Sequence, residues 1–201
     1  MSLADFVPFL PEIFLAVAAF IVLLAGIPLG RRGSRPVIAI AIAALAVTAA
    51  LIFLVGRPAA GPQLILGDML VVDQFAVFFK LLVLAASALA LLMAAGYIDR
   101  SGYSGGEFAS LVLCADLGMF VMVSGANLVS LYVGLELMAL SVYVLVGYFK
   151  LELKSNEGAV KYFVLGAASS AVLLYGISLI YGTTGSLDLE TIRSSIADVP
   201  H

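Results

Sequence analysis

Apolar residues repeatedly run for longer than the ~18 positions that mark a membrane-crossing helix, and short polar stretches separate the runs. The pattern predicts an all-α integral membrane protein with six transmembrane helices. The first span covers about residues 9–28, entered through Pro11 and left at "IPLGRRGSRP". The second covers 37–55, and a loop rich in Gly and Pro, "GRPAAGPQLILGD", follows it. The third covers 73–98. Residues 107–149 then form one apolar stretch of 43 residues, too long for a single span of ~20. "SGAN" at 124–127 divides it, since Gly and Asn tolerate the left-handed backbone of a tight turn. The division gives spans at 107–124 and 127–149. The sixth span is 157–181, with Ser155 or Asn156 available as its N-cap.

Residues 1–182 thus read as the six-helix bundle, and 183–201 as an extracytoplasmic segment leading toward a further span. In that tail Leu189, Ile192 and Ile196 recur at helical spacing among polar residues, with Pro200 placed to stop the helix. It predicts a short amphipathic helix lying at the membrane surface. No closing polar segment follows, which predicts a chain that continues.

Composition sharpens the class without changing it. The chain is 63% apolar and only 11% charged, where soluble domains carry about a quarter charged residues. The N-terminus lacks the basic region of a secretory signal, so the first run is expected to be retained. The placement of cations carries more than the net charge of −3. Arg31, Arg32, Arg35, Arg100, Lys150 and Lys154 fall in alternate loops on one side, and only Arg57 and Arg193 fall on the other. The positive-inside rule therefore predicts cytoplasmic basic loops and an extracytoplasmic N-terminus. A single cysteine, Cys114, lies within an apolar run and reads as a packing residue. Neither metal-ligand spacing nor a Gly-rich phosphate loop occurs, and the one histidine is the last residue, His201.

The candidate chemistry lies in four ionisable residues counted within the spans: Lys80, Asp116, Glu136 and Lys161. Asp116 and Glu136 each stand ten residues from Ala126, which at ~1.5 Å per residue puts them at one level. Lys80, seven residues into the third span, falls near the same depth. A charge at the bilayer centre costs ~3 kcal/mol on insertion scales, so such groups face the bundle interior and find partners. A carboxyl group away from water keeps its proton, whereas a lysine ammonium within ~5 Å favours the ionised form. A buried acid beside a movable cation is therefore a switchable proton site, and Glu136 is the first candidate for it. Lys80 and Asp116, at similar depth, are possible buried ionisable partners in a static pair that fixes helix packing. Lys161 lies four residues after Glu157, so a surface pair on the helix also accounts for it.

Three segments carry a family resemblance: "VDQFAVFFK" (72–80), "LYVGLELMALSVYVLVGY" (131–148) and "SNEGAVKYFVLGAASSAVLLYGISLIYGTTGSLDL" (155–189). Together they resemble the subunit N family of bacterial NADH-quinone oxidoreductase, respiratory complex I, whose members are antiporter-like proton-pumping membrane subunits. Related complex I and Mrp antiporter subunits usually carry Trp before the helix-5 glutamate; this chain has Leu135 there and contains no Trp. The resemblance implies that Glu136 modulates the protonation of a lysine on helix 7 and that Lys161 supports it. The helix-7 and helix-8 lysines of the family lie beyond His201. Asp116 departs from the family pattern, which has small or neutral residues there, and takes no role from it.

The resemblance further implies a location in the bacterial inner membrane, with other complex I membrane-arm subunits and the lipid bilayer as partners and no nucleic acid. NADH, FMN, iron–sulfur clusters and quinone would be bound by partner subunits, with no cofactor on this chain. A cation/proton antiporter of the Mrp kind, or the membrane arm of a membrane-bound hydrogenase, is the alternative. A non-catalytic scaffold whose buried charges only set helix register is a third.

Overall fold

The computed structural model describes residues 7–29, 34–55 and 61–197. Arg31, Arg32, Arg57, Pro200 and His201 lie outside the described residues. Six helices are long and apolar enough to cross a membrane. They are α1 (Leu10–Leu29), α2 (Ser34–Leu54), α3 (Gln74–Ser101), α4 (Gly105–Val123), α5 (Leu128–Val146) and α6 (Leu153–Thr184). A short α7 (Leu189–Ala197) follows.

Helix ends are set by identifiable residues. Asp73 caps α3, its side chain accepting from the Ala76 N–H at 2.7 Å, and Gly102 closes α3 in the left-handed conformation at φ 72°. Gly185 does the same for α6 at φ 70°. The α4–α5 turn falls at "SGAN", but its cause differs from the sequence expectation. Neither Gly125 nor Asn127 is left-handed. Asn127 is instead the N-cap of α5, with extended backbone and a side chain that accepts from the Val129 N–H at 2.8 Å. Asn127→Ala should therefore cost about 1 kcal/mol, read as a lower unfolding midpoint in denaturant.

Helix α6 begins at Leu153, four residues earlier than the hydropathy pattern places it. Ser155 and Asn156 do not cap it. Ser155 donates to the Val146 carbonyl at 2.7 Å and Asn156 to the Lys150 carbonyl at 2.9 Å. They tie down the orphan acceptors of the α5–α6 connection instead.

α4 stands at the centre of the bundle, against α1, α2, α3 and α5. The main core is built from Leu15 and Val22 of α1, Ile38 and Leu45 of α2, Leu84 and Leu91 of α3, and Leu113 and Phe120 of α4. α6 packs chiefly on α5 and leaves most of its surface uncovered; among its described residues only Ile177 is buried. Close approach is made by small residues. A methyl placed on Gly118 would lie 2.4 Å from the Met138 backbone nitrogen, and one on Gly134 would lie 2.6 Å from that of Met122. α4 and α5 therefore touch backbone to backbone.

One element is absent from the sequence reading. Within the loop after α2, β1 (Gln63–Ile65) pairs antiparallel with β2 (Leu70–Val72), in the register Gln63 with Val72 and Ile65 with Leu70. The hairpin turns through Leu66, Gly67 and Asp68, all at positive φ. Its inner face, Ile65, Leu70 and Val72, packs against Phe9 and Val121. The hairpin is bonded to the α4–α5 turn, with the Val71 N–H donating to Ser124 and the Ala126 N–H to Met69. On the other flank of that turn, the Leu128 N–H donates to Leu187 and the Leu189 N–H to Ala126. Three chain segments thus form one hydrogen-bonded layer across this end of the bundle, called below the hairpin end.

The opposite, basic end is held by side chains. Arg35 on α2 pairs with Asp99 on α3 at 2.9 Å. Tyr97, Tyr103, Phe108, Tyr148 and Phe149 form a network of ring contacts.

Candidate functional site at the α5–α6 interface

Gly134 and Glu136 are two residues apart, about 200° around a helix, so they point from nearly opposite sides of α5. Gly134 meets α4. Glu136 meets α6, where Ser170 donates to its Oε1. The Ser170 hydroxyl also shares a hydrogen bond of 2.9 Å with the Tyr132 hydroxyl, one turn before Glu136 on α5. The carboxylate is half-buried and tied to the neighbouring helix through Ser170, which Tyr132 of α5 also bonds. It does not lie alone against the outer surface. Hydroxyl partners hold a carboxylate in either charge state, because a hydroxyl both donates and accepts. Tyr143 packs one layer further toward the basic end, its ring in the notch left by Gly166 and edge-on to Tyr162 at 5.0 Å.

Lys161 is not brought to this carboxylate. Its ammonium pairs with Glu157 one turn back on α6, and both side chains are more than half exposed. Ser170 lies nine residues further on, about 180° around the helix, so Lys161 faces away from Glu136.

The other two candidates correct the sequence reading. Lys80 is buried, but its partner is Glu12 on α1, at 2.5 Å, and not Asp116. The ammonium also stands 5.7 Å from the centre of the Phe120 ring on α4. Asp116 takes a 2.5 Å hydrogen bond from Ser87 on α3. Glu12 is thus a further buried ionisable residue within a span. It heads the buried stripe Leu15, Ala19 and Val22 of α1, and that spacing is the signal that could have shown it facing inward. An acid in the first helical turn also complements the helix dipole. Among the described residues, no group of His, Cys, Asp and Glu is arranged to hold a metal ion.

Comparison with known proteins agrees with this architecture. Residues 125–199 match the family model described as NADH:quinone oxidoreductase/Mrp antiporter, TM. NADH-quinone oxidoreductase subunit N of Parvibaculum lavamentivorans is 43% identical over 193 residues, 96% of this chain and 39% of that protein. Subunit N 1 of Koribacter versatilis is 49% identical over 128 residues, 64% of this chain and 25% of that one. The solved respiratory complex I from Thermus thermophilus with bound aureothin contains a chain that superposes with TM-score 0.69 at 32% identity, over 89% of this chain and 38% of its own. The chain spans about two fifths of the length of the curated relatives it matches. By sequence and by fold, it belongs to the antiporter-like membrane family of NADH:quinone oxidoreductase, among the relatives of subunit N.

Proposed function

We propose that this chain serves in proton translocation by the membrane arm of a bacterial NADH:quinone oxidoreductase, with Glu136 as its proton-binding carboxylate. The observation that carries the reading is the placement of Glu136 at the interface of two transmembrane helices, held by the Ser170 hydroxyl, which is itself bonded to the Tyr132 hydroxyl. An acid so placed can take or release a proton without leaving its partners. Lys161, nearby in sequence but on the far side of α6, supports proton movement from the face that α6 leaves open. The chain carries no redox group in this reading. NADH, FMN, iron–sulfur clusters and quinone belong to partner subunits, and the other membrane-arm subunits are its neighbours. The basic loops lie in the cytoplasm and the hairpin end outside, as the distribution of Arg and Lys favours.

Glu136→Gln in the full-length subunit tests the proposal. The isosteric amide keeps a hydrogen bond to Ser170 and cannot exchange a proton, so assembly should persist while protons moved per NADH oxidised fall several-fold. Normal translocation in a normally assembled variant would refute it. The family description also covers Mrp antiporters, so cation/proton exchange at the same acid is a second reading. Sodium-dependent transport in vesicles without NADH oxidation would favour that one.

A further inference from the structure

The core holds ionisable groups that the reading of Glu136 does not use. Glu12 and Asp116 are buried, at 3% and 0% exposure, and Lys80 is 5% exposed. They are two acids and one base in the interior of the bundle. Lys80 and Glu12 neutralise each other at 2.5 Å. Asp116 has only the Ser87 hydroxyl on its Oδ1, and its Oδ2 is buried without a hydrogen-bond partner. Glu12 has the same character, with Oε1 engaged by Lys80 and Oε2 buried without a partner. Among the described residues, the elements packed on α4 bring no other charge toward Asp116. α3 offers Lys80 and Ser87, and α1 offers Glu12. α5 meets α4 through Gly134 and Met138, and its own acid, Glu136, is bonded to α6. The α2 span contributes only Arg35, at the basic end and paired with Asp99.

An ionised Asp116 would be an uncompensated charge in this interior, which buried sites do not tolerate. We propose that Asp116 is a second proton-binding site, a neutral carboxylic acid between α3 and α4 whose proton is shared with Glu12 through the Lys80 ammonium. The proton sits on Oδ2, since Oδ1 accepts from Ser87. In one arrangement, with Lys80 against Glu12, Glu12 is the anion, Lys80 the cation and Asp116 neutral. In the alternative, the O–H bond at Asp116 Oδ2 breaks, one forms at Glu12 Oε2, and the ammonium faces Asp116. The sum of charges is zero in both, so the proton changes carboxylate without creating net charge in the membrane. Phe120, one turn from Asp116 on α4, presents its ring to the Lys80 ammonium. The site is distinct from the α5–α6 interface and does not depend on the translocation reading.

Infrared spectroscopy of the full chain in its native membranes tests it. At neutral pH the wild-type minus Asp116→Asn difference should contain the carbonyl stretch of a protonated carboxylic acid, shifted by isotope-labelled aspartate. Carboxylate bands in its place overturn the proposal. Should Asp116→Asn not accumulate, the labelled minus unlabelled wild-type spectrum reads the same band. Glu12→Gln supplies the second arm. With Glu12 neutral, Lys80 takes Asp116 as its counter-ion and the acid band is lost. An unchanged acid band in Glu12→Gln overturns the sharing. These spectra are read without electron transfer, so they stand or fall separately from the pumping measured for Glu136→Gln.

Discussion

Lys80→Met should destabilise the folded chain by about 3–5 kcal/mol, measured by denaturant unfolding in detergent or bilayer. The substitution keeps most of the side-chain volume, so the cost is electrical. Without the ammonium, the Glu12 carboxylate, 3% exposed, loses the one cation that pairs with it among the described residues. It must either take up a proton or remain as an isolated charge. The attraction between the ammonium and the Phe120 ring is lost as well. As a unit, a buried pair adds little net stability over a well-packed apolar replacement. The double variant Lys80→Met with Glu12→Gln should therefore recover most of the loss. Glu12→Gln alone should be milder than Lys80→Met, since under the proposed proton sharing Asp116 becomes the counter-ion of Lys80. A loss below about 1 kcal/mol for Lys80→Met, the scale of an exposed pair, would contradict the burial described.

Gly118→Val should cost about 3 kcal/mol, near the upper end for overpacking, and lower the yield of folded chain. Its new Cβ would meet the Met138 nitrogen at 2.4 Å and the Gly134 carbonyl oxygen at 2.7 Å. Those are backbone atoms, and no rotamer change moves them aside. The helices have to part along the seam that orients α5. Because Gly134 and Glu136 lie on opposite sides of that helix, its rotation would also turn Glu136 away from Ser170. Gly176→Ala is the control. A methyl there meets nothing within 4 Å and should gain up to about 1 kcal/mol of helix propensity.

The contrast between these sites shows what a linear pattern can carry. The spans were legible because insertion in a bilayer demands an apolar run in each, and the ionisable interruptions stand out against it. The α4–α5 turn was legible in place but not in cause. The pattern marks a break, whereas the side-chain cap from Asn127 is a local bond. The hairpin had a signal in Gly67 and Asp68 between apolar residues, masked by the Gly and Pro around it. Charge pairing was not legible. Lys80 and Glu12 are 68 positions apart, and only the packing of α1 beside α3 and α4 decides between two carboxylates of similar depth. Glu136 was legible as a candidate, yet its partner Ser170, and Tyr132 bonded to that serine, are common residues that stand out only once α6 is laid against α5.

The layer at the hairpin end has a mechanical consequence. Backbone bonds on both flanks of residues 124–128 fasten the start of α5 to two other strands of chain, whereas rings and side chains hold its far end. A tilt of α5 must therefore pivot at Asn127, like a door on its jamb. The arc is widest at Val146, the far end of α5, and Glu136, near the middle of the helix, is carried through an intermediate sweep across Ser170.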